Sequence, residues 1–143
     1  MVLQLARRRA TRLVSAAMVV ILVAILITSP ASARTVLNTV DSVAIVTDEG
    51  RHLVVTGPIT CTAGERGYLQ VTVTQRTTGA EAEGRTRIAC TGDSQQWEVR
   101  AATQGIETFQ EGPATAVALS RTTTPGQITD AHQWLVEITL IGE

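Results

Sequence analysis

In the stretch YLQVTVTQR, residues 68–76, apolar and polar side chains alternate from Leu69 to Thr74. Leu69, Val71 and Val73 fall on one face, with Gln70, Thr72 and Thr74 opposite. Such a period of two belongs to an extended strand with one buried face. The same rule repeats along the chain. Leu53, Val55, Ile59 and Cys61 share a face in residues 52–61. Thr86, Ile88 and Cys90 alternate with Arg85, Arg87 and Thr91, and Trp97, Val99 and Ala101 alternate with Gln96, Glu98 and Arg100. Near the end, Trp134, Val136, Ile138 and Leu140 alternate with Gln133, Glu137 and Thr139, while Leu135 interrupts the polar face. Two weaker patterns complete the set. Residues 42–47 should pair with the next strand through the turn Asp48-Glu49-Gly50. In residues 113–121 the alanines 114, 116 and 118 are expected to face inward, leaving room for Trp97 or Trp134.

Thr and Val dominate these runs, and both favour strands because they are branched at Cβ. Turn-rich stretches separate them, among them AGERG, TTGAEAEG, TGDSQ, TQGIETFQEG and TTTPGQITDA. Seven strands at a spacing of about ten residues predict an all-β fold, a two-sheet sandwich over residues 42–141, with a small barrel as the alternative.

The first 33 residues read as an address. Arg7, Arg8, Arg9 and Arg12 precede an uncharged run of 15 residues, Leu13–Ile27, and Ala31 and Ala33 then form an Ala-x-Ala site. This is the pattern of a secretory signal peptide cut after Ala33. An uncleaved membrane anchor is the alternative, but a spanning helix needs about 20 apolar residues. Residues 34–41 read as a linker. The expected location is therefore secreted, with no stable membrane insertion after cleavage. The mature chain carries all 13 acids against 8 of the 12 arginines, a net charge of about −5, and no lysine. That balance argues against nucleic acid as a partner.

Cys61 and Cys90 are the only cysteines. Each closes a strand on its inward face, and both strand ends lie at one pole if successive strands run antiparallel. In an oxidising compartment such a pair becomes a disulfide. A zinc site wants four ligands, and His52 and His132 are the only histidines available. His52 sits near the far end of its strand. A redox pair would show C-x-x-C spacing. No metal and no cofactor are expected.

The order V-x-G-x-[IV]-x-C-T-x-G, L-x-V-T-V-x-Q, C-x-G-x-x-x-x-W and F-x-x-G-x-A-x-A-x-A runs through Gly57, Cys61, Gln75, Cys90, Trp97, Phe109, Gly112, Ala114, Ala116 and Ala118. Over residues 43–141 the chain resembles small exported bacterial proteins with an immunoglobulin-like β-sandwich and no characterised activity. The resemblance implies that fold and a disulfide, and it brings no catalytic residue.

Chemistry is sparse elsewhere. Asp130 and His132, with Ser94 or Ser120, lack a G-x-S-x-G elbow, so no catalytic residue is assigned and the chain is read as a non-enzyme. Trp97 and Trp134 are read as core and not as sugar platforms. Binding is expected through loops, where sandwiches carry their variation. The candidates are Arg66 in AGERG, Phe109 and Glu111 in TQGIETFQEG, and Pro125 and Gln127 in TTTPGQITDA. Phe109, though kept among these loop residues, is read as a plug over one end of the sandwich in preference to an exposed contact. The expected function is a secreted, monomeric module binding a protein or glycan. The alternatives are a small enzyme, a protease inhibitor presenting Arg66 at a loop tip, or an envelope component without a discrete ligand.

Overall fold

The computed structural model describes residues 40–143. The proposed signal peptide and residues 34–39 of the linker lie outside the described residues. Seven strands follow one another: β1 (Val43–Thr47), β2 (His52–Thr60), β3 (Arg66–Gln75), β4 (Ala80–Ala89), β5 (Ser94–Thr103), β6 (Gly112–Thr124) and β7 (Gln127–Gly142). A short 3-10 turn, Asp48–Gly50, links β1 to β2, which pair antiparallel as expected.

The strands do not form two separate sheets. They close into one barrel in the order β1-β2-β5-β4-β3-β6-β7. The expectation of an immunoglobulin-like sandwich is therefore overturned, and the barrel is the fold. Alternation along a strand says which face is buried, and either closure satisfies it. The choice is made at strand edges. Two short seams make it here. β1 runs parallel to the end of β7, with Val43 opposite Thr139 and Val46 opposite Gly142. The start of β4 pairs with the end of β5 through Ala82–Thr103 and Glu83–Ala102. Immediately after that second seam comes Gly84. A Cβ there would lie 2.5 Å from the Arg100 carbonyl oxygen and 2.5 Å from Val99 Cγ1. Only glycine lets β4 cross so close to β5, and beyond it the two strands part.

The barrel interior is filled by side chains, as expected for a small barrel. Leu53, Val55, Ile59, Leu69, Val71, Val73, Val99 and Ala101 are all buried, and so is Trp97. The inward alanine face of β6 is as expected: Ala114, Ala116 and Ala118 are buried, and Ala118 lies opposite the half-buried Trp134 in the ladder.

The two poles are finished differently. At one, Cys61 and Cys90 form the expected disulfide across a sequence separation of 29. Backbone hydrogen bonds lace the two cysteine turns together: Gly64 N–H to the Cys90 carbonyl, Cys90 N–H to that of Glu65, and Gly92 N–H to that of Cys61. At the other pole Phe109 is buried at 3% exposure, and its N–H donates to the Gly50 carbonyl at 2.9 Å. Gly50 has φ +84°, and a Cβ there would meet the Phe109 carbonyl oxygen at 2.3 Å. Gln75 completes this cap. Its side chain is fully buried; Nε2 donates to the Gln110 carbonyl at 2.8 Å, and Oε1 accepts from Gln110 N–H at 2.9 Å and from the Thr78 hydroxyl at 3.1 Å. A buried amide left without such partners would be costly.

Candidate functional site

The outer face of β3 is built by the same alternation that fills the core. With Gly67 and Leu69 inward, Arg66, Tyr68 and Gln70 point outward. β3 is flanked on both sides, and register decides what surrounds Tyr68. Arg87 on β4 is directly opposite on one side, and Arg121 on β6 on the other. Directly opposed strand residues are within side-chain reach. The Arg87 and Arg121 guanidinium carbons lie 5.3 Å and 5.2 Å from the Tyr68 ring centroid. Both are within the range of a cation–π contact, which holds an otherwise mobile guanidinium against a flat surface.

Four of the eight arginines that follow residue 33 gather on this face: Arg66, Arg85, Arg87 and Arg121. Arg85 is neutralised by Glu83 at 2.7 Å, and Glu83 also accepts from Gln70 Nε2 at 3.1 Å. Arg66, Arg87 and Arg121 make no ion pair with a carboxylate among the described residues. Like charges are thus held together in partial isolation from counter-charge, an arrangement that attracts an external anion.

Two open troughs meet here. One, of about 740 Å³, runs past Gln70, Arg85, Leu119 and Gln133. The other, of about 770 Å³, runs towards the disulfide pole past Arg66, Thr123, Pro125 and Gln127. Tyr68, Arg87 and Arg121 line both. The β6–β7 connection that walls the second trough is a two-residue turn with Pro125 before Gly126 (φ +82°), the sequence a type II turn favours.

The residues expected to bind are therefore divided. Arg66, Pro125 and Gln127 come together in one trough. Phe109 and Glu111 belong to the opposite pole. Phe109 is the plug and does not present its ring, while Glu111 Oε1 accepts from Gly142 N–H at 3.0 Å and fastens the end of β7. Arg66 is not at a loop tip. It is the first residue of β3 and is paired to Ala89 and Thr123, so the projecting loop that a protease inhibitor would present is absent at this residue.

In the sequence Tyr68 is uninformative at its strand start and Arg121 carries no signal, while Arg85 and Arg87 lie on an outer strand face that fits either an acidic partner or a cross-strand pairing with Glu98. β4 pairs with β5 only at its start, so Glu98 instead approaches Arg100 on its own strand at 3.5 Å. Tyr68 and Arg121 are 53 residues apart in the chain, and only the β3–β6 register joins them.

Asp130 and His132 do meet, with Nε2 and Oδ2 3.1 Å apart, and His132 stacks on Trp134 at 5.7 Å. Ser120 lies opposite His132 in the ladder but is buried, and its hydroxyl makes no hydrogen bond. A nucleophile–base contact is therefore not formed. Among the described residues no group of three or more His, Cys, Asp or Glu side chains could hold a metal ion.

No family model matches this chain, and no curated protein matches it. Among solved structures it is similar to a beta-glucuronidase from glycoside hydrolase family 2, at 14% identity and a TM-score of 0.36. The likeness covers 71% of this chain and 11% of that one, so the chain spans about a tenth of the enzyme's length. At that score it assigns no activity here.

Proposed function

We propose that this protein is exported, loses residues 1–33, and acts outside the cell as a monomeric, non-enzymatic module that binds an acidic partner. The binding surface is the outer face of β3, β4 and β6. One observation carries the reading: Tyr68 sits between the guanidinium groups of Arg87 and Arg121, which have no ion pair among the described residues. A surface that merely needed solubility would intersperse its arginines with acids. Here Glu83 is taken up by Arg85 and Gln70, and Glu81 lies farther towards the other pole on β4.

The net charge of the mature chain is negative, so attraction must be local and short-ranged. Binding should weaken steeply as salt shortens the screening length, which is about 10 Å at 0.1 M. The mature protein should be retained on a column bearing carboxylate or sulfate groups at low salt. Arg87→Ala/Arg121→Ala should weaken that binding by about a hundredfold, given about 1.5–3 kcal/mol for each hydrogen bond to a charged group. Arg76→Ala, in the turn after β3, should leave it unchanged. Equal retention of the double variant would rule the site out. Both substitutions are exposed, so the fold should tolerate them.

A further inference from the structure

We infer that the acidic partner is a linear polysaccharide carrying carboxylate or sulfate groups at intervals along its chain; this rests on the anion-binding reading above. The first argument is spacing. Arg87 and Arg121 stand on strands either side of β3, so their attachment points are two strand steps apart, about 10 Å. Their guanidinium carbons lie 5.3 and 5.2 Å from the one ring centroid, so each can meet its own acidic group on a single chain. The second is shape. The two troughs share Tyr68, Arg87 and Arg121 and continue in opposite directions, forming one open path across the face that suits an extended ligand.

The third argument is the lining between the charges. Gln70 and Gln133 on one side and Thr123 and Gln127 on the other offer amides and hydroxyls, the groups that pair with sugar hydroxyls. The fourth is the use made of the tyrosine. Arginines from both neighbouring strands cover its ring at 5.3 and 5.2 Å. A ring so occupied orients cations, whereas single-stranded nucleic acid stacks its bases on open aromatic faces. Arginine forks alone can hold a phosphate, but many phosphate sites add backbone N–H groups at a turn or a helix N-terminus. The N–H groups of β3 are committed to ladders on both sides.

The test is calorimetric titration of the mature protein with hyaluronan fragments, whose carboxylates fall on alternate sugars. A disaccharide offers one carboxylate and a tetrasaccharide two. The tetrasaccharide should bind about tenfold tighter or more, because its second contact is intramolecular. Methyl esterification should abolish the gain. Arg87→Ala and Arg121→Ala should each reduce the tetrasaccharide to the disaccharide's affinity, and Tyr68→Leu should weaken both fragments while leaving every arginine in place. Oligo-dT, poly-glutamate and inorganic phosphate are the competing probes. If any of these binds as tightly through the same arginines, or if the tetrasaccharide gains nothing, the polysaccharide inference is wrong and the anion site stands. If no probe binds in an arginine-dependent way, the anion site itself is wrong.

Discussion

Replacing Cys61 and Cys90 together with alanine is expected to lower the unfolding free energy by about 3–4 kcal/mol. The figure is the chain-entropy cost of freeing a loop whose ends are 29 residues apart. For a domain of this size it corresponds to a fall in Tm on the order of 15–25 °C. The position of the bridge explains why the loss should appear in full. β4 and β5 pair only through Ala82–Thr103 and Glu83–Ala102 and then diverge. The turn joining them lies at the open end of that divergence, and Cys90 there is tied to Cys61 at the end of β2, the strand on the other side of β5. Nothing in the ladder replaces the tie. Denaturant titration of the oxidised wild type, the reduced wild type and the double variant would measure it. A difference under about 1 kcal/mol would mean that the laced turns hold this pole without the sulfurs.

Gln75→Leu should cost about 3 kcal/mol, although leucine is apolar, similar in size and placed in a core. The substitution removes the acceptor for Gln110 N–H and the Thr78 hydroxyl, and the donor to the Gln110 carbonyl. Leaving buried polar groups without partners costs about 1–3 kcal/mol each, which outweighs the gain from burying a more apolar side chain. The same groups distinguish this account from simple crowding. Gln75 bonds the backbone of Gln110 and not its side chain, so Gln110→Ala should change stability by less than about 0.5 kcal/mol. The effect should also be local. In hydrogen exchange, the amides of residues 104–111 should lose protection in Gln75→Leu while those of β3 and β6 near Tyr68 keep theirs. An unaffected loop would show that Phe109 alone holds the cap.

The disulfide and Gln75 mark what the sequence made legible. The inward cysteines follow from alternation and from their positions at strand ends, both local properties. The alanine face of β6 follows in the same way. Gln75 was visible only as part of a resemblance, because its role depends on a loop 35 residues away. That loop reads as a variable binding segment by composition, yet buried Phe109 and Gln75 fix it as a cap. Barrel closure was hidden for a similar reason. It rests on six residue pairs, four between β1 and β7 and two between β4 and β5, and on the missing side chain of Gly84. The candidate site is the extreme case. Arg66, Pro125 and Gln127 were singled out as loop residues, but Tyr68 acquires its meaning from Arg87 and Arg121, which reach it through two independent registers. Strand pairing is long-range information, and the period of two does not contain it.

The central claim is that binding takes place on the outer face of β3, β4 and β6. The direct measurement is a map of amide and arginine side-chain NMR shifts during titration with the hyaluronan tetrasaccharide. The account predicts the largest changes at Arg66, Tyr68, Gln70, Arg87 and Arg121, with saturation at one fragment per chain and reversal by salt. Shifts confined to residues 104–111 at the opposite pole, or spread evenly over the surface, would contradict it.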